Sequence, residues 1–507
     1  MKKTKAYLYA TASLLLAFVA LSPATVAAFS AYGAGTSGNP YRVATCAQLQ
    51  EINNNLAGHY KLVSDIDCTG TTFTTISSPF TGTLDGQNHT IAHIAITGSG
   101  LFAETNGATI KNLKLASGTI SGTAQVGSFV SNASSTTLTN VHSSMTIVGT
   151  STNGGLVGLS NNDLSIGSSS YSGSITSTTY SGGLVGLIYD TGTNLINNSF
   201  FNGTLTLVQR TFPSVQPSFV NGGLVGLMYG GTISNSYSSG TINHDASANT
   251  SGGIVGLTYD GVFNNSFSAT TIIGTSPDDI GAIFGGFYTG GSYSSTRSNL
   301  HFDRYLANTA DCAGFDQGSG NCTARNTSNA TPDYFKNSST NGPLSTWNFT
   351  SVWATTNSYP TLRDLASFAA VAVPNDGDAN GDGTADSYQA RVTSVPNADD
   401  VWSTIEIPTS GGCTLDNPQW LNASSLKADS GFTQQLTTFT SFDIYCPTAG
   451  MTVPVTIIYD KLYDTSNSIL RHYNPTTNSY ITVSGAVFST RTVGGIVKTT
   501  VTYSITD

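Results

Sequence analysis

Short apolar runs alternate with Ser, Thr, Asn and Gly through the middle of the chain, and they recur at a near-constant spacing. The hexapeptide "GGLVGL" occurs at 154–159, 182–187 and 222–227, and "GGIVGL" follows at 252–257. Their second glycines, at 155, 183, 223 and 253, are 28, 40 and 30 residues apart. A period of roughly 20 to 50 residues indicates a repeat architecture. The longest step contains Leu207–Val220, which we expect to be an inserted loop and the best candidate for a specific contact.

A second motif recurs later in each unit, an Asn followed two residues on by an aromatic residue. It occurs as Asn198-Ser199-Phe200, Asn235-Ser236-Tyr237 and Asn265-Ser266-Phe267, and Ser169-Ser170-Tyr171 fits with one residue deleted. No unit has apolar residues at helical spacing, and a propeller blade needs about 40–45 residues. We therefore expect a parallel β-helix in which identical positions stack about 4.8 Å apart. The asparagines should then form a ladder and the aromatic rings a stack.

"GGLVG" followed by "NSYSSGTI" resembles the GLUG repeat of bacterial surface and secreted proteins. The resemblance implies a right-handed parallel β-helix. The upstream stretches 39–70 and 80–96 resemble the N-terminal section that leads into such repeats. The stretch 331–365 resembles the segment that closes them, with Trp347 and Trp353 as capping bulk. We expect an N-terminal cap and first coils at 29–118, the repeat β-helix at 119–300 and closing coils at 301–366.

The N-terminus has the pattern of an export signal. Lys2, Lys3 and Lys5 precede an apolar run that ends near Leu21, and "VAA" at 26–28 supplies small residues for cleavage after Ala28. We therefore expect a signal peptide at 1–28 and a secreted or cell-surface location, with an uncleaved membrane anchor as the alternative. In an oxidising compartment the six cysteines favour disulfides. Six cysteines allow 15 pairings; we favour the local pairs Cys46–Cys68, Cys312–Cys322 and Cys413–Cys446.

The segment "DGDANGDGTADSYQ", 376–389, has the oxygen spacing of a calcium-binding loop. Positions 1, 3 and 5 of such a loop carry side-chain oxygens, Gly at 6 makes the turn, and position 7 gives its carbonyl. This pattern predicts a structural Ca²⁺ site, with Gln389 at position 12 where a Glu is usual. A register beginning at Asp376, and a flexible acidic turn without metal, stay open. The predicted ligands are Asp378, Asn380, Asp382, Thr384 and Asp386.

The remaining C-terminal residues alternate apolar and polar over short runs, which predicts a small β-sandwich at 390–507, joined to the coils by a linker at 367–389. "NGDGTADSYQARVTSVPN" and "YNPTTNSYITV" resemble the choice-of-anchor U domain, a module placed before cell-surface sorting tails. No "LPxTG" motif occurs in the sequence. Surface attachment and release therefore both stay open.

Charge and catalytic motifs narrow the function. The net charge is −10 with only 9% charged residues, so we expect no nucleic-acid partner. GLUG repeats also occur in some secreted metallopeptidases, but the sequence contains no HExxH. Asp and Glu are scattered in the coils, whereas glycosidases use paired carboxylates. We expect no catalytic residues and a monomeric, non-catalytic, adhesin-like protein that binds a glycan or a surface protein. The alternative is a polysaccharide lyase or hydrolase.

Tyrosines recur just after the hexapeptides, at 189, 229, 259 and 288. They are either packing at a coil corner or a strip that stacks on sugars. His89 and His93 lie four residues apart in an apparent strand, hence on one face, as a metal pair or as exposed strand residues.

Overall fold

The structure, a computed structural model, describes only part of the chain: residues 33–208, 219–243, 249–274, 280–287, 295–309, 311–315, 322–325, 334–336, 339, 344–363, 378–384, 386, 389, 391–396, 402–422, 429, 438–474, 477 and 479–506. The predicted signal peptide lies outside the described residues. So do residues 209–218 of the insertion, Asp376 and Tyr288.

Three parallel sheets form the sides of a β-helix, and we name them sheets A, B and C. Sheet A has 15 described strands: Tyr41–Val43, His59–Leu62, Ile66–Asp67, Thr83–Ala92, Thr109–Leu115, Thr137–Ser143, Ser165–Gly167, Ser170–Tyr171, Leu195–Asn197, Phe200–Phe201, Thr232–Ser234, Tyr237–Ser238, Val262–Ser268, Thr296–Asp303 and Cys322–Arg325. Sheet B also has 15 described strands: Thr72–Ile76, Ile94–Asn106, Gly118–Gly122, Val130–Ser134, Thr146–Gly149, Val157–Asn162, Ser174–Ser177, Val185–Ile188, Thr204–Leu207, Val225–Met228, Thr241–Asn243, Val255–Thr258, Thr271–Ile273, Phe284–Phe287 and Ala313–Phe315. Sheet C has six: Val126–Gly127, Asn153–Gly154, Tyr180–Gly182, Phe219–Gly222, Asn249–Gly252 and Ile280–Gly281.

The hexapeptides stack in register. In sheet C, the glycines at 154, 182, 222, 252 and 281 form one column, in which each pairs with the next. In sheet B, Val157, Val185, Val225 and Val255 form the matching column. The inward side chains of these columns form one apolar cluster that runs from Val43 to Ala307. The predicted fold class, a parallel β-helix followed by a small C-terminal β domain, is confirmed.

The recurrent asparagines lie at left-handed turns in sheet A. Asn198, Asn235 and Asn265 have φ angles of 49°, 47° and 45°. Asparagine tolerates this conformation better than most residues because its short side chain bonds locally. The amide of Asn140 donates to Asn112 Oδ1 at 2.9 Å, and that of Asn299 donates to Asn265 Oδ1 at 3.0 Å. The expected asparagine ladder is therefore present only in part. In the middle coils, Asn235 donates to Asn197, and Asn198 Oδ1 has no partner among the described residues.

The recurrent aromatic rings divide between the inside and the outside of sheet A. Phe200, Tyr237 and Phe267 stack in parallel, 4.9 Å apart at each step. Tyr171 does not join this column, because it pairs with Phe201 and not with Phe200, and both lie in the core. The expected one-residue deletion is wrong, because the pairing of these two coils is continuous from Ser165 with Leu195 to Ile175 with Leu205. Ser170 lies opposite Phe200, and Tyr171 is equivalent to the inward Phe201.

A C-terminal segment covers the outer stack. Its apolar side chains pack against Tyr237 and Phe267 in one cluster. They come from Phe335, from the 3₁₀ helix Leu344–Thr346 and from the hairpin of Trp353–Ala354 with Thr361–Leu362. Trp347 and Trp353 are 4% and 0% exposed there. The two tryptophans therefore shield the flank of sheet A, which is a different position from the end cap that the sequence suggested.

Short helices and disulfides secure the ends of the coils. The N-terminal helix Cys46–Gln50 continues as the 3₁₀ helix Glu51–Asn54. The helix Arg304–Ala307 directly follows the strand Thr296–Asp303. Disulfides join Cys46 to Cys68, Cys312 to Cys322 and Cys413 to Cys446. The predicted local pairing is confirmed. Among the described residues, no helix is long and apolar enough to cross a membrane.

The C-terminal domain consists of small antiparallel sheets. Five strands form the largest: Val392–Pro396, Trp402–Glu406, Thr452–Ile458, Val487–Val493 and Ile496–Thr506. Thr414–Asn422 pairs with Thr438–Tyr445, and Arg471–Asn474 pairs with Ser479–Thr482. Ile405, Leu415 and Val455 share one buried cluster, so the five-stranded sheet packs against the first two-stranded sheet.

Candidate functional site

The loop from Asp378 to Gln389 folds its carboxylates back onto its own backbone. Asp378 Oδ1 accepts from the amides of Gly381 (2.8 Å) and Asp382 (3.0 Å), and its Oδ2 accepts from Gly383 (2.9 Å). Asp382 Oδ1 accepts from the amide of Thr384 at 3.0 Å. Gly381 and Gly383 have φ angles of 77° and 88°, which lets the chain turn tightly around these side chains. The predicted residues Asp378, Asp382 and Thr384 are thus brought together.

Two further side chains contact Asp382. Gln389 Nε2 donates to Asp382 Oδ1 (3.1 Å) and to the Thr384 carbonyl (2.9 Å). Arg391 Nη2 donates to Asp382 Oδ2 at 2.8 Å. Burial opposes ionisation of Asp382, but the hydrogen bonds from Arg391 and its neighbours hold the pKa of this carboxyl below its usual range.

The loop is anchored to the five-stranded sheet through Asn380. Its side chain is 1% exposed, and its Nδ2 donates to Glu406 Oε2 at 3.2 Å. Glu406 in turn receives two hydrogen bonds from Arg491, at 2.6 Å and 2.8 Å. A depression of about 490 Å³ opens beside the loop and is lined by Asn380, Asp382, Arg391, Glu406 and Arg491 among others. Neither Glu406 nor Arg491 is marked by a local sequence pattern, since both are distant from the loop in the chain.

Asp386, the fifth predicted ligand, has other partners. The hydroxyl of Ser394 donates to its Oδ2. Burial raises the pKa of the Asp386 carboxyl to about 6, and the hydrogen bonds from Ser394 and from the amides of Ala379 and Asn380 only partly offset this. Asp386 therefore supports the loop from the side of the strand that contains Ser394.

The tyrosines after the hexapeptides form an outward ladder on sheet B. The backbone amides of Tyr229 and Tyr259 donate to the carbonyls of Ile188 (3.0 Å) and Met228 (2.9 Å), which continues the rungs of the sheet. The rings of Tyr229 and Tyr259 stack at 4.4 Å, and Tyr189 meets Tyr229 edge-on at 5.4 Å. Tyr189 is 61% exposed. Tyr229 and Tyr259 are half-buried, and none of the three rings belongs to the core cluster, so the ladder lies at the surface.

A polar depression continues the ladder towards the N-terminus. Asn161 follows Gly154 by seven residues, as Tyr189 follows Gly182, and its amide donates to Asn132 Oδ1. Asn132 pairs with Glu104 across the next rung. The depression holds about 190 Å³ and is lined by Pro79, Glu104, Thr105, Asn106, Asn132, Ser134 and Asn161. We call Glu104, Asn132, Asn161, Tyr189, Tyr229 and Tyr259 the binding flank. Sequence reasoning missed its first three members, although the seven-residue offset from the hexapeptide identifies Asn161.

The two histidines at 89 and 93 each face a carboxylate. His89 Nδ1 lies 3.2 Å from Asp65 Oδ1, and His93 Nδ1 lies 3.0 Å from Asp67 Oδ1. Within the part of the chain that the structure describes, no group of three or more His, Cys, Asp or Glu side chains is arranged to hold a metal ion.

Comparison with known proteins relates the first coils to a peptidase. Residues 45–144 match the family described as the N-terminal region of the M26 IgA1-specific metallo-endopeptidases. Halomucin from Haloquadratum walsbyi is 34% identical over 113 residues, which cover 19% of this chain and 1% of halomucin. The solved structure of an IgA1 protease aligns with 51% of this chain and 21% of its own, at 24% identity and a TM-score of 0.40. The chain thus spans a small part of both proteins.

The family match corrects two expectations. The sequence suggested a non-catalytic, adhesin-like protein, but the match over residues 45–144 points to a protease-related one. It does not favour a polysaccharide lyase or hydrolase either. Both expectations relied on searching for catalytic residues. The similarity to the peptidase family instead lies in the cap and first coils, where the residues pack in the core or pair between strands.

Proposed function

We propose that this protein is exported and takes part in proteolysis, with its β-helix binding a polypeptide substrate along the binding flank. The match of residues 45–144 to the N-terminal region of IgA1-specific metallo-endopeptidases carries the proposal. That region contains the cap and the coils that bear Glu104 and Asn132, so the matched segment and the flank are parts of one continuous solenoid. The described residues can bind and position a substrate, and peptide-bond hydrolysis would use a metal-bound water.

The geometry of the flank suits an extended polypeptide. The exposed Tyr189 and the half-buried Tyr229 and Tyr259 supply apolar area and polar tips, a combination that is enriched where proteins bind one another. The three rings cover about 10 Å, which corresponds to about three residues of extended chain. Asp190 accepts from Asn194 Nδ2 (2.9 Å) and the amide of Gly192 (2.8 Å), which orders the turn after Tyr189. The polar depression at the other end can receive donors of the substrate through Glu104 and the asparagines.

The resemblances seen in the sequence refine this proposal. We infer that the coils are GLUG-type repeats and that the C-terminal sheets are a choice-of-anchor U-like module. The stacked hexapeptides and the asparagine ladder support the first assignment. The second is supported by the small antiparallel sheets that follow the loop at Asp378. The three disulfides support an extracytoplasmic location, because such bonds persist in oxidising compartments.

Binding and cleavage of polypeptides test the proposal. The full chain is incubated with IgA1, with IgG and with unfolded casein; binding is followed by surface plasmon resonance, and cleavage by gel electrophoresis with and without 1,10-phenanthroline. We expect saturable binding to IgA1 that Tyr229→Ala weakens about tenfold, in the range of an interface hot spot. Tyr305→Ala, at a tyrosine 53% exposed on the helix Arg304–Ala307, is the matched control. If none of the three polypeptides is bound or cleaved, the proposal is wrong.

A further inference from the structure

The amide of Gln389 is held in an orientation that leaves its oxygen unsatisfied. Its Nε2 faces two acceptors, Asp382 Oδ1 and the Thr384 carbonyl. Its Oε1 receives no hydrogen bond from any described residue, although the side chain is only 8% exposed. A buried acceptor without a partner costs about 1–3 kcal/mol. A partner from outside the described chain would therefore stabilise this oxygen.

Rotation of this amide turns the loop into a cage of oxygens. The two ends of a carboxamide have nearly the same shape, so a half-turn about the last side-chain bond puts Oε1 where Nε2 now lies. Oε1 would then face Asp382 Oδ1 and the Thr384 carbonyl. Three oxygens that face one another need a cation between them.

A positive charge already sits at the rim of this cage. The Arg391 guanidinium donates to Asp382 Oδ2 at 2.8 Å and is 28% exposed. The open depression beside it gives an ion from solvent direct access to Asp382. Arg391 can leave without being buried elsewhere, because it already lines this depression.

We propose that the loop binds one Ca²⁺ through Asp378, Asn380, Asp382, the Thr384 carbonyl and the Gln389 amide oxygen, and that the ion displaces Arg391 from Asp382. Asp386 is a positioning residue that supports the loop from Ser394. The set contains two carboxylates and three neutral oxygens, which suits Ca²⁺ because this ion takes six to eight oxygen ligands with flexible geometry. Mg²⁺ needs a near-ideal octahedron and keeps several waters. The site is independent of the proposed function.

Two variants should bind Ca²⁺ more tightly than the wild type. An acidic turn that is not a Ca²⁺ site would not respond in this way. Gln389→Glu supplies the bidentate carboxylate that calcium loops carry at this position, so its affinity should rise on the order of tenfold. Arg391→Ala removes the competing cation and should also raise affinity. Asp382→Asn should lower it at least about tenfold. Asp464→Asn, in a turn of the same domain where the carboxylate accepts from Ser466, is the control and should change nothing.

Calorimetric titration of the full, chelator-treated chain with CaCl₂, with MgCl₂ as the comparison, measures these affinities. We expect wild-type dissociation constants of about 10⁻⁴–10⁻³ M, as in extracellular calcium modules. Thermal melting followed by circular dichroism should show a Ca²⁺-dependent rise in the C-terminal transition. The proposal is wrong if a folded wild-type chain shows no saturable Ca²⁺ binding at millimolar concentrations. It is also wrong if Gln389→Glu and Arg391→Ala both leave the affinity unchanged.

Discussion

Gly183 and Phe201 approach each other so closely that a β-carbon on Gly183 would lie 2.3 Å from Cγ of the ring. The same β-carbon would lie 2.1 Å from the carbonyl oxygen of Gly223 in the next coil. The second glycine of the hexapeptide therefore lets the core ring and the neighbouring backbone meet at one point. The close approach to the carbonyl of the next coil recurs at Gly155, Gly223 and Gly253, and it explains why the hexapeptide repeats this glycine. The ring contact is shared only by Gly155, which meets Tyr171.

Gly183→Ala should lower the free energy of unfolding by about 3 kcal/mol, the upper part of the range for overpacking, because the clash involves backbone as well as a ring. Gly167→Ala is the matched control. A β-carbon there meets nothing within 4 Å, so the change should stay within about 1 kcal/mol. Urea denaturation of both variants measures the difference. Equal effects at the two positions would show that close packing does not explain the hexapeptide.

Asn235 allows the backbone and side-chain roles of the ladder to be separated. Its φ angle is 47°, and its Nδ2 donates to Asn197 Oδ1 at 3.2 Å. Asn235→Ala should cost about 1–2 kcal/mol, because alanine is strained in the left-handed region. Asn235→Gly keeps the turn and loses only the hydrogen bond, so it should cost about 1 kcal/mol or less. Thermal denaturation ranks the two; glycine at least as destabilising as alanine would contradict the turn argument.

His301 should make the protein sensitive to mild acid. It is 1% exposed, and neither ring nitrogen has a hydrogen-bond partner among the described residues. Burial, followed by the charge of Arg325, lowers the pKa of this imidazole to about 4. In the unfolded chain this histidine takes up a proton near pH 6.5. The contribution of neutral His301 to the free energy of unfolding is therefore fully present above that pH. It falls as pH drops towards 4, by about 2 kcal/mol between pH 7 and pH 5.

His301→Phe should remove this part of the pH dependence, since Phe fits among the rings of Tyr334 and Trp347. Urea denaturation at pH 7 and pH 5 measures it. His142, whose pKa is also lowered to about 4 by burial and then by Lys114, should retain a slope of the same sign. An unchanged difference between the two pH values in His301→Phe would assign the acid sensitivity to other groups.

The register of the coils could be predicted from sequence because glycine hexapeptides and left-handed asparagines each tolerate few substitutes. The aromatic positions could not. Tyr171 and Phe200 look equivalent in the sequence motif, but the register of the sheet pairs Tyr171 with Phe201, so one ring lies inside and the other outside. The partners of Trp353 could not be predicted either, since its contacts with Tyr237 and Phe267 join distant parts of the chain. At the loop, the spacing of the sequence identified Asp378 and Asp382. The contacts of Arg391 and Glu406 with this loop could be recognised only in the structure.

The largest difference in length between the described coils falls at one corner, between sheets B and C. Thr178 and Thr179 alone join the strands Ser174–Ser177 and Tyr180–Gly182, whereas residues 208–218 join Thr204–Leu207 to Phe219–Gly222 in the following coil. The columns on either side continue unshifted, with Ser177 opposite Leu207 and Tyr180 opposite Val220. Evolution can therefore lengthen this corner and acquire new specificity there without disturbing a single rung, and an engineer could graft a foreign peptide at the same place.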